Sequence, residues 1–421
     1  MKNLASFGVY AGDMLLPKAG DMSRWSVIAC DQFTSQMTYW EELAQFVGDA
    51  PSALKLILPE AYLDLADADV RIARVNDTMH DYVAGDVFKT LADSFVYVQR
   101  DSVSGIRHGL VCTVDLECYD PQGKGLIRPT EGTVASRVPP RMKIRKNACV
   151  ELSHVMLLCD DKNMAIFRAL EEATKNDAPI YDFDVSMGGG HLKGFVVDSR
   201  DKKAVLEKAF LEAAQEAATR NGEGAPFLVV GDGNHSLAAA KAHWENVKAA
   251  GAGEDHPARY AMVEIVSIHD PSIIFEPIHR VIFDTNQEKL TEQLIHAAKM
   301  RGFGAKVSAC AVCGEDEISI PMIYDGQQQY FVCENPFDRW AIHILQELLD
   351  DIDGLNVDYI HGDDTLRDLC QNDTSVGFFL PPTDKDTFFH IIATQGVMPR
   401  KTFSIGHAHQ KRYYTEAREI V

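Results

Sequence analysis

Short apolar runs at 154–159, 226–230, 260–267, 272–283 and 328–333 alternate with segments of helical period, and this interleaving constrains the chain more than any other feature. A short apolar run suits a strand buried on both faces, whereas apolar residues three and four apart suit a helix lying on the sheet. The pattern predicts an α/β fold, a mixed sheet with flanking helices. Leu206, Phe210, Ala213 and Ala217 fall on one helix face, Leu237, Ala240, Trp244 and Val247 on a second, and Ala341, Ile344, Leu345 and Leu348 on a third. Residues 37–47 and 61–84 also read as helices, while 95–99 and the alternating Leu110, Cys112, Val114 and Leu116 read as strands. No repeat, low-complexity tract or Gly/Ser linker interrupts the 421 residues. They are read as one unit over 1–421, with a core at 90–285 on which 1–89 and 286–421 pack.

Charge narrows the partners. Against 41 Lys and Arg stand 62 Asp and Glu, a formal net charge of −21, which repels phosphate backbones and anionic lipid over most of the surface. Nucleic acid and membrane are therefore not expected as partners. No apolar run approaches the roughly 18 residues of a membrane span, and the N-terminal stretch lacks the apolar core of a secretory signal, so a cytoplasmic protein is expected. Nine cysteines, an odd number, lie mostly in apolar runs such as Val111-Cys112 and Leu158-Cys159, which suits reduced, buried thiols. The pair Cys310 and Cys313 has no second pair or nearby His to complete a zinc site.

Three apolar runs end in acid, at Asp160-Asp161, Asp232 and Asp270. If these carboxyl ends converge they could hold magnesium, which prefers oxygen ligands; each Asp could equally be a turn former or helix cap. Gly231-Asp232-Gly233-Asn234-His235-Ser236 follows a predicted strand and opens a predicted helix. Backbone N–H groups and the helix dipole there favour an anion. Gly233 allows close approach of a ligand, Asp232 can take a proton or a metal, and His235 can donate to phosphate or titrate. Asn234 or Ser236 could instead cap the helix. Upstream, Arg128, Arg137, Arg141, Lys143, Arg145 and Lys146 face a single nearby acid, Glu131. In so acidic a chain this inversion predicts a pocket for an anionic group, with Arg supplying bidentate contacts and Glu131 acting as base or ion-pair partner. A second acid-poor stretch runs from Arg400-Lys401 through His407, His409, Lys411 and Arg412.

Arg128-Pro129-Thr130-Glu131-Gly132-Thr133, Gly231-Asp232-Gly233-Asn234-His235 and Glu276-Pro277-Ile278-His279-Arg280 together resemble an uncharacterised bacterial and archaeal family, domain of unknown function 1015, over nearly the whole chain. Its members typically show Arg-Pro-His-Glu-x-Thr and Asp-Gly-His-His-Arg at the first two places. The second element is also similar to the signature of the ParB/sulfiredoxin superfamily, which includes free serine kinases. That resemblance implies a ParB/sulfiredoxin-like core with large elaborations, and phosphoryl transfer between a nucleotide and a small hydroxyl substrate. The motif's final Arg is here Ser236, so another cation, with Arg141, Arg145 and Arg280 as candidates, must supply the lost charge, or the chemistry has changed.

The expectation is thus a small-molecule phosphotransferase acting on free serine, or in reverse on phosphoserine, with Mg2+ and ATP or ADP. The alternatives are a non-catalytic sensor of a nucleotide or metabolite, and a metal-dependent phosphoester hydrolase. Glu131, Asp232 and His235 are the expected catalytic residues, with Asp232 also the metal ligand. Arg128, Thr130, Arg137, Arg141, Arg145, Gly233, Asn234, Ser236, His279 and Arg280 are expected to bind the phosphorylated metabolite or nucleotide, all in one cleft.

Overall fold

A computed structural model describes residues 3–133, 135–222, 224–311, 314–335, 339–406 and 408–421. Val134, Cys313 and His407 lie outside the described residues, and with them the Cys310–Cys313 and His407–His409 pairings. Where the sequence suggests one core over 90–285, the chain divides after Ile274 into two compact units, residues 1–274 with 405–421, and residues 275–404.

The first unit is built on a mixed sheet. Its main path runs Ile127–Pro129, Leu228–Asp232, Met156–Cys159, Tyr260–Ser267, Gly105–Asp115, Phe88–Ser102, Gly12–Pro17, Ala417–Glu419 and Val150–Leu152. Leu228–Asp232 is parallel to Ile127–Pro129 and antiparallel to Met156–Cys159, which in turn is parallel to Tyr260–Ser267. Both faces are covered, so successive residues are buried in opposite directions. Phe95, Tyr97, Leu110 and Cys112 join one core, with Leu170, Phe210 and Trp244 from the helices Ala165–Thr174, Arg200–Asn221 and Asn234–Ala249. Val96, Val98 and Val111 join the other, with Trp40, Leu43, Val75 and Met79 from Met37–Val47 and Ala68–Ala84. Two-sided burial explains why these strands read as continuous apolar runs. The predicted helix over 61–84 begins only at Ala68, after a 3-10 turn at Glu60–Tyr62.

In the second unit every neighbour is antiparallel along Ala305–Ser308, Gln327–Glu334, Glu317–Tyr324, Ser375–Phe378, Phe275–Phe283 and Asn356–His361. Helices Gln287–Met300 and Ala341–Asp350 bury Leu290, Leu294, Leu345 and Leu348 against one face. Among the described residues no helix is long and apolar enough to cross a membrane. Of the described cysteines, Cys112, Cys149, Cys159, Cys333 and Cys370 are buried free thiols and Cys310 is exposed.

Candidate functional site

The Leu228–Asp232 strand breaks register between Val230 and Asp232, a bulge at Gly231. A β-carbon on Gly231 would stand 2.6 Å from Leu158 Cγ, so only glycine lets the strand bend there. The chain then turns through Gly233 at φ +80°, where an added β-carbon would meet the Val155 Cα at 3.0 Å. From this left-handed residue the helix Asn234–Ala249 starts with no side-chain cap. Neither residue expected as a possible cap serves as one. Asn234 Nδ2 donates to Thr130 Oγ1 at 3.4 Å, and Ser236 Oγ lies 3.2 Å from His154 Nε2. The first turn therefore presents its amides without a competing side-chain oxygen.

Parallel pairing of Ile127–Pro129 with the same strand carries Thr130 and Glu131 to this end of the sheet, and Thr130 Oγ1 donates to the Val230 carbonyl at 2.7 Å. The helix Val138–Arg145 adds charge: Arg141 and Arg137 lie close enough to His235 that, after burial itself, they are the main causes lowering its pKa to about 4. His235 is thus a neutral imidazole at physiological pH, able to donate one hydrogen bond and carrying no positive charge. Asp232 accepts from the Gly233 amide at 2.9 Å and is ion-paired at 3.2 Å with Lys411.

Lys411 is held by a strap, residues 409–416, that three buried arginines clamp. Arg100 donates to the carbonyls of His409, Lys411 and Gly189 and lies over the Tyr413 ring. Arg107 donates to the Gln410 carbonyl at 2.7 Å, and Arg412 pairs with Glu264 at 3.3 Å and Glu416 at 3.0 Å. Tyr413–Tyr414 pairs with Val27–Ile28, which sets Tyr414 beside the Cys30-Asp31 turn. There Tyr414 Oη lies 2.6 Å from His154 Nδ1 and 3.1 Å from Cys30 Sγ, while Asp31 Oδ2 stands 3.6 Å from His154 Nε2. Burial would push the Asp31 carboxyl up, yet His154, a hydrogen bond from Gln32 and the Lys411 ammonium hold it below the usual range. Burial pushes the Cys30 thiol up to about 12, so it stays protonated. Asp31, His154, Tyr414 and Lys411 were missed in the sequence because three distant segments supply them. The local hints were the His154 that opens an apolar run and the acid-poor stretch that holds Lys411.

Several expected members have structural partners of their own. Arg128 donates to the carbonyls of Gly125 and Gly224, before the strand rather than after it. Arg145 pairs with the buried Glu151 at 2.6 Å, which also accepts from Arg418 at 2.8 Å and from the Met262 amide at 2.8 Å. Arg141 pairs with Glu60 and Lys143 with Asp69. The basic segment is therefore balanced by acids remote in sequence, which local counting does not detect. His279 and Arg280 are buried in the second unit, His279 against Asp363 at 2.9 Å and Arg280 on Gln346 Oε1 at 2.9 Å and the carbonyls of Ile278, Arg400 and Lys401.

The three acidic strand ends do not all converge: the parallel strands Met156–Cys159 and Tyr260–Ser267 bring Asp160-Asp161 and Asp270 to one end of the sheet, without Asp232. Asp232 pairs opposite Met156 because its strand runs antiparallel to Met156–Cys159, so Asp160 and Asp161 leave at the other end. There they have structural partners. Asp160 is bound by His269 at 2.7 Å and Arg220 at 2.9 Å, Asp161 accepts from the amides of Ala165 and Ile166, and Asp270 accepts from His108 and Ser272. Among the described residues no group of three or more His, Cys, Asp and Glu is placed to hold a metal ion.

A sequence profile described as "Protein of unknown function (DUF1015)" matches residues 15–355. No curated protein matches the chain. Among solved structures, similarity extends to a free serine kinase in complex with AMP, 10% identical with a TM-score of 0.39 over 74% of this chain and 91% of that one. A conserved hypothetical protein from Pyrococcus furiosus is 11% identical, with a TM-score of 0.36 over 74% and 94% of the two chains. SbnI from Staphylococcus aureus, truncated at its C-terminus, is 11% identical, with a TM-score of 0.35 over 72% and 85%. At such scores these likenesses carry no argument about chemistry.

Proposed function

We propose that this chain, which belongs to the DUF1015 family of proteins of unknown function, is a small-molecule phosphotransferase that moves a phosphoryl group between a nucleotide, ATP or ADP, and a small hydroxyl compound. One observation carries the reading: an uncapped helix start entered through a bulge and a left-handed glycine, with Lys411, Arg137 and Arg141 grouped around it. Phosphoryl transfer asks for positioning and charge neutralisation more than for covalent chemistry. The helix amides and Arg137 and Arg141 cradle the phosphates. Lys411 supplies the cation that the family motif places at the position of Ser236. Neutral His235 donates to a phosphate oxygen. Asp232, Glu131 and the Asp31–His154 pair are the bases at hand. Of these, Asp31–His154 is the one whose imidazole has a carboxylate beside it to stabilise the charge it would gain. The ground for a ParB/sulfiredoxin-like core is the resemblance of the Asp-Gly-x-His element alone.

The described residues do not form an all-protein metal cage. Magnesium carried on nucleotide phosphates needs only one or two carboxylates, and Asp232 is the one this site offers.

Calorimetry of the purified chain with ATP, ADP, serine and phosphoserine, with and without magnesium, coupled to product detection, tests the proposal. Nucleotide binding with phosphoryl transfer is expected. Binding without turnover would make the protein a sensor, nucleotide hydrolysis without an acceptor would make it a hydrolase, and absence of nucleotide binding would overturn the reading.

A further inference from the structure

Behind the first turn of the Asn234–Ala249 helix lies a cavity of about 130 Å3 within the first unit. His154, Ser236 and Arg141 line it where it meets the candidate site, and Leu58, Met79, Val150, Ala240 and Met262 form apolar walls. Its one wall carboxylate, Glu151, is already bound by Arg145, Arg418 and the Met262 amide. Dry apolar cavities of roughly 150 Å3 admit a benzene-sized guest. This one thus takes a body of about five or six heavy atoms by the same measure. Free serine suits it poorly, because its ammonium would lie among these apolar walls with the one lining acid already committed to Arg145 and Arg418, and an unpaired charge there is costly.

We infer that this cavity holds the apolar body of the phosphoryl acceptor, so that the substrate is a small alcohol with an aliphatic or aromatic group and its hydroxyl directed at His154. The inference rests on the phosphotransferase reading above. In the transfer, the alcohol oxygen bonds to the terminal phosphorus of the nucleotide. The bond from that phosphorus to its bridging oxygen breaks, with the electron pair leaving on the shortened nucleotide. The hydroxyl proton passes to Nε2 of His154, and Asp31 stabilises the resulting imidazolium. His154 is a catalytic residue in this scheme, and Tyr414, on its other nitrogen, is a positioning residue.

The test uses the full chain and three acceptors, isoamyl alcohol, glycerol and L-serine, each with magnesium and ATP or ADP, with products read by phosphorus NMR. Binding of isoamyl alcohol without nucleotide is measured separately by saturation-transfer NMR, and nucleotide binding by calorimetry. Isoamyl alcohol should bind and be the best acceptor. Ala240→Leu, which fills the cavity from the helix, should lower its kcat/KM at least tenfold with the nucleotide Kd unchanged. Met79→Phe, from another helix, should act likewise and serves if the first variant does not fold. Alcohol binding that both substitutions weaken, without any nucleotide binding, would sink the phosphotransferase reading and leave the cavity assignment standing. Turnover of serine or glycerol in preference to the alcohol, or alcohol kinetics indifferent to both substitutions, would overturn the cavity assignment alone.

Discussion

Replacing Arg141 with alanine tests the anion cradle most directly, because this guanidinium has two separable effects. It pairs with Glu60, with side-chain exposures of 14% and 18%, and it helps depress the pKa of His235. If it also donates to a ligand phosphate, the lost charged hydrogen bond is worth about 1.5–3 kcal/mol, or about 10- to 150-fold in Kd. Leaving Glu60 without its partner costs up to about 1–3 kcal/mol of stability, a shift of a few degrees in Tm for a unit this large. Calorimetry with ADP or ATP reads the first effect and a melting curve the second, while the His235 ring signals should titrate above the wild-type value near 4. Arg141→Lys keeps the charge but not the fork, so it should hold the His235 pKa low and recover only part of the affinity. A folded Arg141→Ala protein with nucleotide Kd within twofold of wild type would refute the placement of phosphate beside this helix.

Asp232→Asn removes a charge with little change in shape, so turnover should fall by orders of magnitude in a chain that still folds, with a small loss of Tm from the unpaired Lys411 and a loss of nucleotide affinity that is larger with magnesium than without it; steady-state kinetics beside calorimetry and a melting curve check this. Gly233→Ala imposes a β-carbon at φ +80° against the Val155 backbone and should cost about 1–3 kcal/mol, read by denaturant titration. For His235 the sign is fixed by its lowered folded-state pKa: between about 4 and the unfolded value near 6.5 the unfolded chain binds the extra proton, so stability falls as pH drops through that window. Removing the ring in His235→Asn should flatten that slope in urea titrations across pH. A phosphate ligand should reverse the sense locally, raising the His235 pKa and drawing in a proton, measurable as buffer-dependent binding enthalpy.

The sequence made visible those parts of the site that local rules govern. A strand ending in Gly-Asp-Gly before a helical period could only be a sharp strand-to-helix turn, and the structure has that turn at Gly231–Gly233. Helical spacing at Leu206, Phe210, Ala213 and Ala217 likewise marks the face the helix buries. Strand direction was not legible, because an apolar run reads the same for either orientation, and orientation alone sends Asp160 away from Asp232. Nor was ion pairing, since the partners of Arg141, Lys143 and Arg145 lie at Glu60, Asp69 and Glu151. The cation at Asp232 stood within a stretch recognised as acid-poor, but its distance of 179 residues in sequence, from 232 to 411, hid its role.

The clamped strap sets an order of events during synthesis. Arg100, Arg107 and Glu264 leave the ribosome long before Lys411 and Arg412, so a nascent chain that has completed most of its sheet has Arg107 and Glu264 paired with each other but lacks the strap carbonyls that Arg100 and Arg107 bind and the Arg412 that completes the pairing of Glu264. Such a chain has its helix start at Asn234 but neither Lys411 nor Tyr414 to complete the site. Competence thus comes only once residues 411–414 have been translated, and a chain stopped before residue 411 is unfinished at its centre rather than at its edge.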